Sequence, residues 1–201
     1  MTSPKAASPI VSNSRLILAS ESPRRLALLA QAGIVPAAVA PAHVDETPRK
    51  SEPPRAYALR LAVAKAKAIG AEAGTIVLAA DTVVACGRRI LPKASTSDEV
   101  RACLALLSGR RHQVITAVAA LTHDKLRTRV AMTRVSFARL SDTDIQSYLD
   151  CGEGIGKAGG YAIQGRAEIF VRQISGSYSN VVGLPLFETV SLVRGCSFTF
   201  P

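Results

Sequence analysis

Leu16-Ile17-Leu18-Ala19-Ser20-Glu21-Ser22-Pro23-Arg24-Arg25 runs directly into Leu26-Ala27-Leu28-Leu29-Ala30. A short apolar run ends in a hydroxyl-rich turn, and a helix follows. Ser22 suits the N-cap and Pro23 the first helical position. The first turn of a helix has free N–H groups and a partial positive charge, so negative groups normally belong there. Arg24 and Arg25 stand there instead. Two cations at the positive end of a helix are unfavourable unless an anion lies between them, which makes the turn a candidate phosphate site. Taken alone, the segment reads equally well as a solvated helix start.

Outward from that turn the chain alternates strands and helices, the pattern of an α/β protein. Strands are predicted at 15–20 and 34–40, with a helix at 23–32 between them. A polar, proline-rich loop spans 43–54. An alanine-rich helix is expected over 55–73, stopped by Gly74, and then a buried strand over 75–80. Thr96-Ser97-Asp98-Glu99 forms a capping box for a helix reaching Leu107. Two long strands, 112–122 and 126–140, are joined by a tight turn at 123–125. A helix from Ser141 to about Cys151, a glycine-rich loop over 153–165, a strand over 167–174 and a helix over 185–193 complete the pattern. There is no internal repeat.

The chain has 201 residues, is 48% hydrophobic and 20% charged, and predicts a sizeable core. Residues 1–14, rich in Ser, Pro and Ala, read as a disordered tail, and 196–201 as a C-terminal tail. No run has signal-peptide or membrane-spanning character, so the expectation is a soluble cytoplasmic protein. Cys86, Cys103, Cys151 and Cys196 are too dispersed for a zinc cage and read as reduced thiols. His43, His112 and His123 form no metal-ligand pattern by spacing. The net charge of +10 calls for an anionic partner or simply a basic surface. Between Arg110 and Arg139 there are seven Lys or Arg and one acid, Asp124. Nucleic acid is disfavoured as the partner, because aromatics make up only 4% and no basic run is interleaved with them.

Asp81 interrupts an apolar run, Leu78-Ala79-Ala80-Asp81-Thr82-Val83-Val84. A half-buried carboxylate is unfavourable unless paired, and α/β proteins place ligands near such strand ends. Asp45-Glu46 offers further carboxylates from the preceding loop. Two or three carboxylates together with phosphate oxygens suit Mg²⁺ or Mn²⁺. Lys65, Lys93 and Lys157 stand singly in apolar or glycine-rich surroundings. Gly154-Ile155-Gly156-Lys157-Ala158 is not a P-loop, because Ala158 stands where a hydroxyl is required. Gln164 precedes a glycine and could offer its amide to a base edge.

In order along the chain, these segments resemble the Maf family of nucleotide pyrophosphatases, also described as septum-formation inhibitors. The resemblance runs from about Leu16 to Val193. It is carried by Ser20 to Arg25, Asp45-Glu46, Leu61-Ala62 with Lys65-Ala66, and Ala80 to Val84. It continues through Leu107-Ser108-Gly109 with His112, Lys157-Ala158-Gly159, Ile163-Gln164-Gly165, and Tyr178 to Pro185. The resemblance implies an α/β fold like that of inosine-triphosphate pyrophosphatases: a long mixed β-sheet with flanking helices, forming two lobes around a deep cleft. One such domain would span 15–195.

It also implies hydrolysis of nucleoside triphosphates to monophosphate and pyrophosphate with a divalent metal, often as a homodimer. On this resemblance Ser20, Ser22, Arg24, Arg25, Lys65, Lys93 and Lys157 bind the triphosphate. Glu46 and Asp81 hold the metal, and Asp81 is the catalytic carboxylate, as base or as ligand. Arg24, Thr82 and Gln164 track base preference and match the subfamily acting on dTTP, UTP and modified pyrimidine nucleotides. Two places depart from the family pattern. Pro92-Lys93-Ala94 stands where Gly-Lys-Pro is usual. Gly154-Ile155-Gly156 follows Glu153 where Pro-x-Asp is usual, which removes a partner for Lys157. The contrasting reading is a non-catalytic regulator of cell division that senses nucleotides or binds nucleic acid.

Overall fold

Thr75–Cys86 forms one unbroken strand, β3, of 12 residues, in the middle of the molecule. The computed structural model describes residues 14–198; the first 13 positions of the expected N-terminal tail, and residues 199–201, lie outside the described residues. The remaining elements follow the chain. They are β1 (Arg15–Leu18), α1 (Pro23–Gln31), β2 (Ala38–Val39), α2 (Pro54–Ile69), β4 (Arg89–Leu91), β5 (Lys93–Ala94) and α3 (Ser97–Leu107). Then come β6 (Arg111–Leu121), β7 (Leu126–Phe137), α4 (Asp142–Asp150), β8 (Lys157–Ala158), a 3₁₀ helix (Arg166–Phe170), β9 (Val171–Ser175), α5 (Tyr178–Val182) and α6 (Leu186–Arg194).

The main sheet has the order β2-β1-β3-β6-β7-β9, with β4 also pairing β3, and β5 and β8 form a separate ribbon. β1 is parallel to β2 and β3, and the other pairs are antiparallel, so the sheet is mixed as expected. Alternate residues of β3 serve two cores. Ile76, Leu78, Ala80 and Val84 pack on the face shared with α1, α3 and α6. Val77, Ala79 and Val83 face α2, where Ala58, Ala62 and Ala66 allow close approach. A strand buried on both faces reads as a continuous apolar run, which is why 75–80 was legible.

The strand continues through Asp81 because a buried lysine neutralises that carboxylate, as described below. β1 pairs β3 only as far as Leu18 with Leu78, and β4 rejoins the same edge at Val84. The stretch between has no strand partner on that edge among the described residues. Here the cleft opens.

Four local expectations are corrected. The strand predicted for 34–40 is regular only at Ala38–Val39, because Pro36 removes a ladder donor. The helix predicted to reach Ala73 ends at Ile69, where Gly70 takes φ +70°. Residues 166–170 form a 3₁₀ turn rather than a strand: Ala167 and Phe170, three apart, are both buried on one side of it. The capping box at Thr96 is half made. Thr96 accepts from Glu99 N, but the Glu99 carboxylate accepts from Ser95 N and Oγ instead. The box at Ser141 is complete, with Asp144. All four cysteines are free thiols. No helix among the described residues is long and apolar enough to cross a membrane.

Candidate active site

The cleft has a volume of about 780 Å³ and gathers residues from seven regions of the chain, among them Val182 and Gly183 at the end of α5. Ser20, Ser22, Arg24 and Arg25 enter from the β1–α1 turn, Glu46 from the polar loop, Lys65 from α2 and Asp81 and Thr82 from β3. Lys93 comes from β5, and Lys157 and Gln164 from the loop around β8. Apart from Asp45, every predicted site residue therefore lines one cavity. None of the basic residues between Arg110 and Arg139 does, so that charge belongs elsewhere on the surface.

An alternating chain of charges crosses the cleft. Lys65 Nζ lies 2.6 Å from Asp81 Oδ1 and 2.6 Å from Glu46 Oε1, and Lys93 Nζ lies 2.8 Å from Glu46 Oε2. Asp81 is 4% exposed and Lys65 7%, so this lysine is no solvated face residue. Helical spacing explains its aim. Tyr57, Leu61 and Lys65 recur every four residues on one face of α2. Tyr57 Oη donates to the Glu46 carbonyl at 2.6 Å, and Lys65 grips the same residue's carboxylate. One helix face thus fixes Glu46 twice. Burial alone would raise the Glu46 pKa, but hydrogen bonds from Lys65 and Lys93 bring it down to about 2. Asp45 turns away, its carboxylate accepting from Thr47 N in an exposed turn.

Arg24, Arg25 and Lys157 bring further cations to the same cleft. Arg24 is partly buried, and its Nε is buried with no hydrogen-bond partner. Burial lowers its pKa. Lys157 is likewise lowered, first by burial and then by the charge of Arg24. Its Nζ donates to the Ile155 carbonyl at 3.1 Å, which takes the place of the carboxylate that the sequence lacks. Like charges held together, with an unpaired buried donor between element ends, form a site complementary to an anion.

The two arginines differ sharply. Arg25 Nε donates to Gly183 O at 2.9 Å, Nη1 to Ser20 Oγ at 2.9 Å and Nη2 to Thr82 Oγ1 at 3.3 Å. Burial lowers its pKa, against the opposing pull of Asp81. Arg25 ties three walls of the cleft together, whereas Arg24 keeps a donor unused. Ser22 is the N-cap residue, as expected, but its side chain makes no capping bond, which leaves the hydroxyl to the cleft. Ser20 Oγ accepts from both Ser22 N at 3.2 Å and Arg25. With both lone pairs occupied, its proton remains for an acceptor such as a phosphate oxygen.

Three further residues support the site, though the sequence reading gave none of them a role in it. Tyr57 is one. Glu153 Oε2 accepts from Arg166 N at 2.8 Å and so braces the turn that presents the exposed Gln164. Gly159 has φ +69°, and a Cβ there would lie 2.7 Å from Val84 Cγ1. Only glycine lets the Lys157 loop pass so close to β3. Helical periodicity marked Tyr57 and a family motif included Gly159, but the supporting contacts of Glu153 and Gly159 are long-range and left no local signal.

Among the described residues no three of His, Cys, Asp or Glu gather as a metal cage. Glu46 and Asp81 nonetheless converge on a single ammonium, in the cleft that Arg24 and Lys157 also line. Two hard oxygen donors of this kind fit Mg²⁺ or Mn²⁺, ions that complete their shells with substrate phosphates and water.

Comparison with known proteins places this geometry in a family. The chain is 58% identical over 192 residues to a protein of Rhodopseudomonas palustris (strain ATCC BAA-98 / CGA009) named dTTP/UTP pyrophosphatase, covering 92% of this chain and 93% of that one. It is 55% identical over 185 residues to a protein of the same name from Caulobacter vibrioides, covering 91% and 96%. Among solved structures it is similar to the Staphylococcus aureus Ham1 protein, at 16% identity and a TM-score of 0.44, over 62% of this chain and 72% of that one. The family model described as Maf-like protein matches residues 15–196, and the chain belongs to that family.

Proposed function

We propose that this protein hydrolyses nucleoside triphosphates to the monophosphate and pyrophosphate, with dTTP and UTP as preferred substrates. The observation that carries this reading is the meeting, in one cleft, of Arg24, whose buried Nε has no hydrogen-bond partner, and two carboxylates held by one buried lysine. The relatives' shared name adds the substrate class. The segment 15–195 acts as one unit, working on free nucleotides in the cytoplasm.

The triphosphate lies against Ser20, Ser22, Arg24 and Lys157, and Arg25 holds that wall in place. Asp81 orients a water toward the α-phosphorus and takes its proton as the new P–O bond forms. The bond from the α-phosphorus to the bridging oxygen breaks, and pyrophosphate departs. Lys65 pairs with Asp81 and fixes it in place, and Lys93 steadies Glu46. Glu46 and Asp81 would hold Mg²⁺ or Mn²⁺, which when bound offsets negative charge on the phosphates. Catalysis is then mainly positioning and electrostatics, as phosphoryl-type transfers require.

A panel of nucleotides with Mg²⁺ or Mn²⁺, assayed for both products, tests this reading. Equal amounts of monophosphate and pyrophosphate from UTP or dTTP are expected. Release of single phosphate, or no turnover of any nucleotide, would overturn it.

A further inference from the structure

Residues 45–53, the loop that delivers Glu46 to the cleft, form no strand or helix, yet side chains fix the loop at successive points. Asp45 Oδ1 accepts from Thr47 N at 2.9 Å. Tyr57 Oη donates to Glu46 O at 2.6 Å, and Arg60 Nη2 donates to Thr47 O at 3.0 Å. Glu52 Oε2 accepts from Arg49 N at 3.1 Å, and Glu52 N donates back to Arg49 O at 3.1 Å. Ser51, inside that turn, has φ 59°, a left-handed conformation that is unfavourable for a residue with a Cβ. Such a conformation persists only where the surroundings over-determine it.

Tyr57 and Arg60 stand three residues apart on α2, so they are neighbours on one helical face. The Arg60 guanidinium lies over the Tyr57 ring, 5.4 Å from its centroid. Together they hold the carbonyls of two consecutive residues, which sets the direction of the chain at Glu46. Arg60 is itself gripped by Glu52 through a two-bond fork, Nε to Oε1 at 2.7 Å and Nη2 to Oε2 at 2.8 Å. The two side chains are only 21% and 9% exposed, which separates this pair from an ordinary surface contact. Glu52, Tyr57 and Arg60 do not line the cleft.

We infer that Glu52, Tyr57 and Arg60 form a clamp outside the cleft that sets the affinity for a divalent cation inside it, by holding Glu46 in its binding position before the ion arrives. This deepens the proposed function and rests on it. A carboxylate on a free loop must be ordered when it binds, and that loss of entropy weakens the affinity. Here the ordering is complete on folding. Lys65 and Lys93 also hold Glu46, but they hold its carboxylate, and an ion taking those oxygens competes with both ammonium groups. The backbone bonds from Tyr57 and Arg60 survive that exchange of partners. All three clamp residues are therefore positioning residues.

The test titrates Mn²⁺ calorimetrically into wild type, Glu52→Gln, Tyr57→Phe and Arg60→Lys, and follows UTP turnover against Mn²⁺ concentration. Each substitution is expected to weaken Mn²⁺ binding by about tenfold or more, the range for residues that support metal ligands from outside. The Mn²⁺ concentration for half-maximal turnover should rise by the same factor, while KM for UTP at saturating Mn²⁺ should move far less. Arg60→Lys keeps the charge but lacks the planar fork, so it should resemble Glu52→Gln. Wild-type Mn²⁺ affinity in Glu52→Gln and Tyr57→Phe overturns the inference while leaving the pyrophosphatase activity standing. If Glu52→Gln does not fold, Tyr57→Phe, which loses a single hydroxyl, decides in the same way. A wild type that takes up no Mn²⁺ defeats the metal reading of the proposed function, and the inference falls with it.

Discussion

Replacing Lys65 with methionine keeps most of the side-chain volume and removes the charge that both carboxylates share. In the native protein Lys65 and Asp81 have side chains only 9% and 5% exposed, and their charged atoms are 2.6 Å apart. Removing one partner of a buried pair leaves an uncompensated charge and costs about 3–5 kcal/mol. Here the residue left behind is Asp81, with Glu46 nearby and its carboxylate now paired with Lys93 in place of both lysines. For a protein of this size that corresponds to a fall in Tm of about 6–20 °C at neutral pH.

The pH dependence gives the loss its signature. An unpaired buried carboxylate has a folded-state pKa raised above its unfolded value. Such a group contributes stability below the unfolded pKa and loses it as pH rises through the folded pKa. The penalty in Lys65→Met should therefore be largest above neutrality and shrink toward pH 4. Thermal unfolding followed by circular dichroism between pH 4 and 8 measures it. A variant melting within about 2 °C of wild type at pH 7.5, or a penalty independent of pH, would refute the reasoning.

Asp81→Asn should still fold, since Glu46 keeps Lys65 paired, and lose at least about a hundredfold in kcat, the range for loss of a general base; steady-state turnover of UTP checks it. Arg24→Ala and Arg25→Ala should differ in kind. Arg24→Ala is expected to raise KM for the triphosphate without lowering Tm, since its Nε has no partner in the protein. Arg25→Ala should destabilise by about 1.5–3 kcal/mol, as Ser20, Thr82 and Gly183 lose a charged donor; urea unfolding of the two variants separates these outcomes. Glu46, held at about pKa 2, should stay ionised well below the usual carboxylate range. Its ion pairs stabilise the protein above the unfolded pKa of about 4.3 and are lost as pH falls toward 2, so Glu46→Gln should flatten the stability profile in that window. Gly159→Ala should lower Tm and slow turnover, because its Cβ would collide with Val84 at a positive φ.

The residues that carry chemistry were largely legible because they violate local rules. Two arginines at a helix start, and an aspartate inside an apolar strand, are locally unfavourable. Such violations need a compensating ligand or partner. Lys65 supplied that partner for Asp81, and no local pattern distinguished it from a solvated lysine. The division between Arg24 and Arg25 was also hidden, since adjacent residues on a helix diverge by about 100° and only the tertiary neighbours decide which is used internally. Long strands and capped helices followed from periodicity. The 3₁₀ turn at Arg166–Phe170 did not, because a short apolar run fits a strand and a tight turn equally. α5, only five residues long, was too brief to leave a periodic signal. The hydrogen bonds that link Thr82 through Thr116 to Asn180 join residues up to 98 positions apart and exist only in the folded chain.

The position of bond cleavage can be read directly with isotopically labelled water. Turnover of UTP in ¹⁸O-water, followed by mass spectrometry of both products, shows which phosphorus the water attacks. Attack at the α-phosphorus, with Asp81 as the orienting carboxylate, puts one ¹⁸O into the uridine monophosphate and none into the pyrophosphate. Label in the pyrophosphate, or in free phosphate, would contradict it.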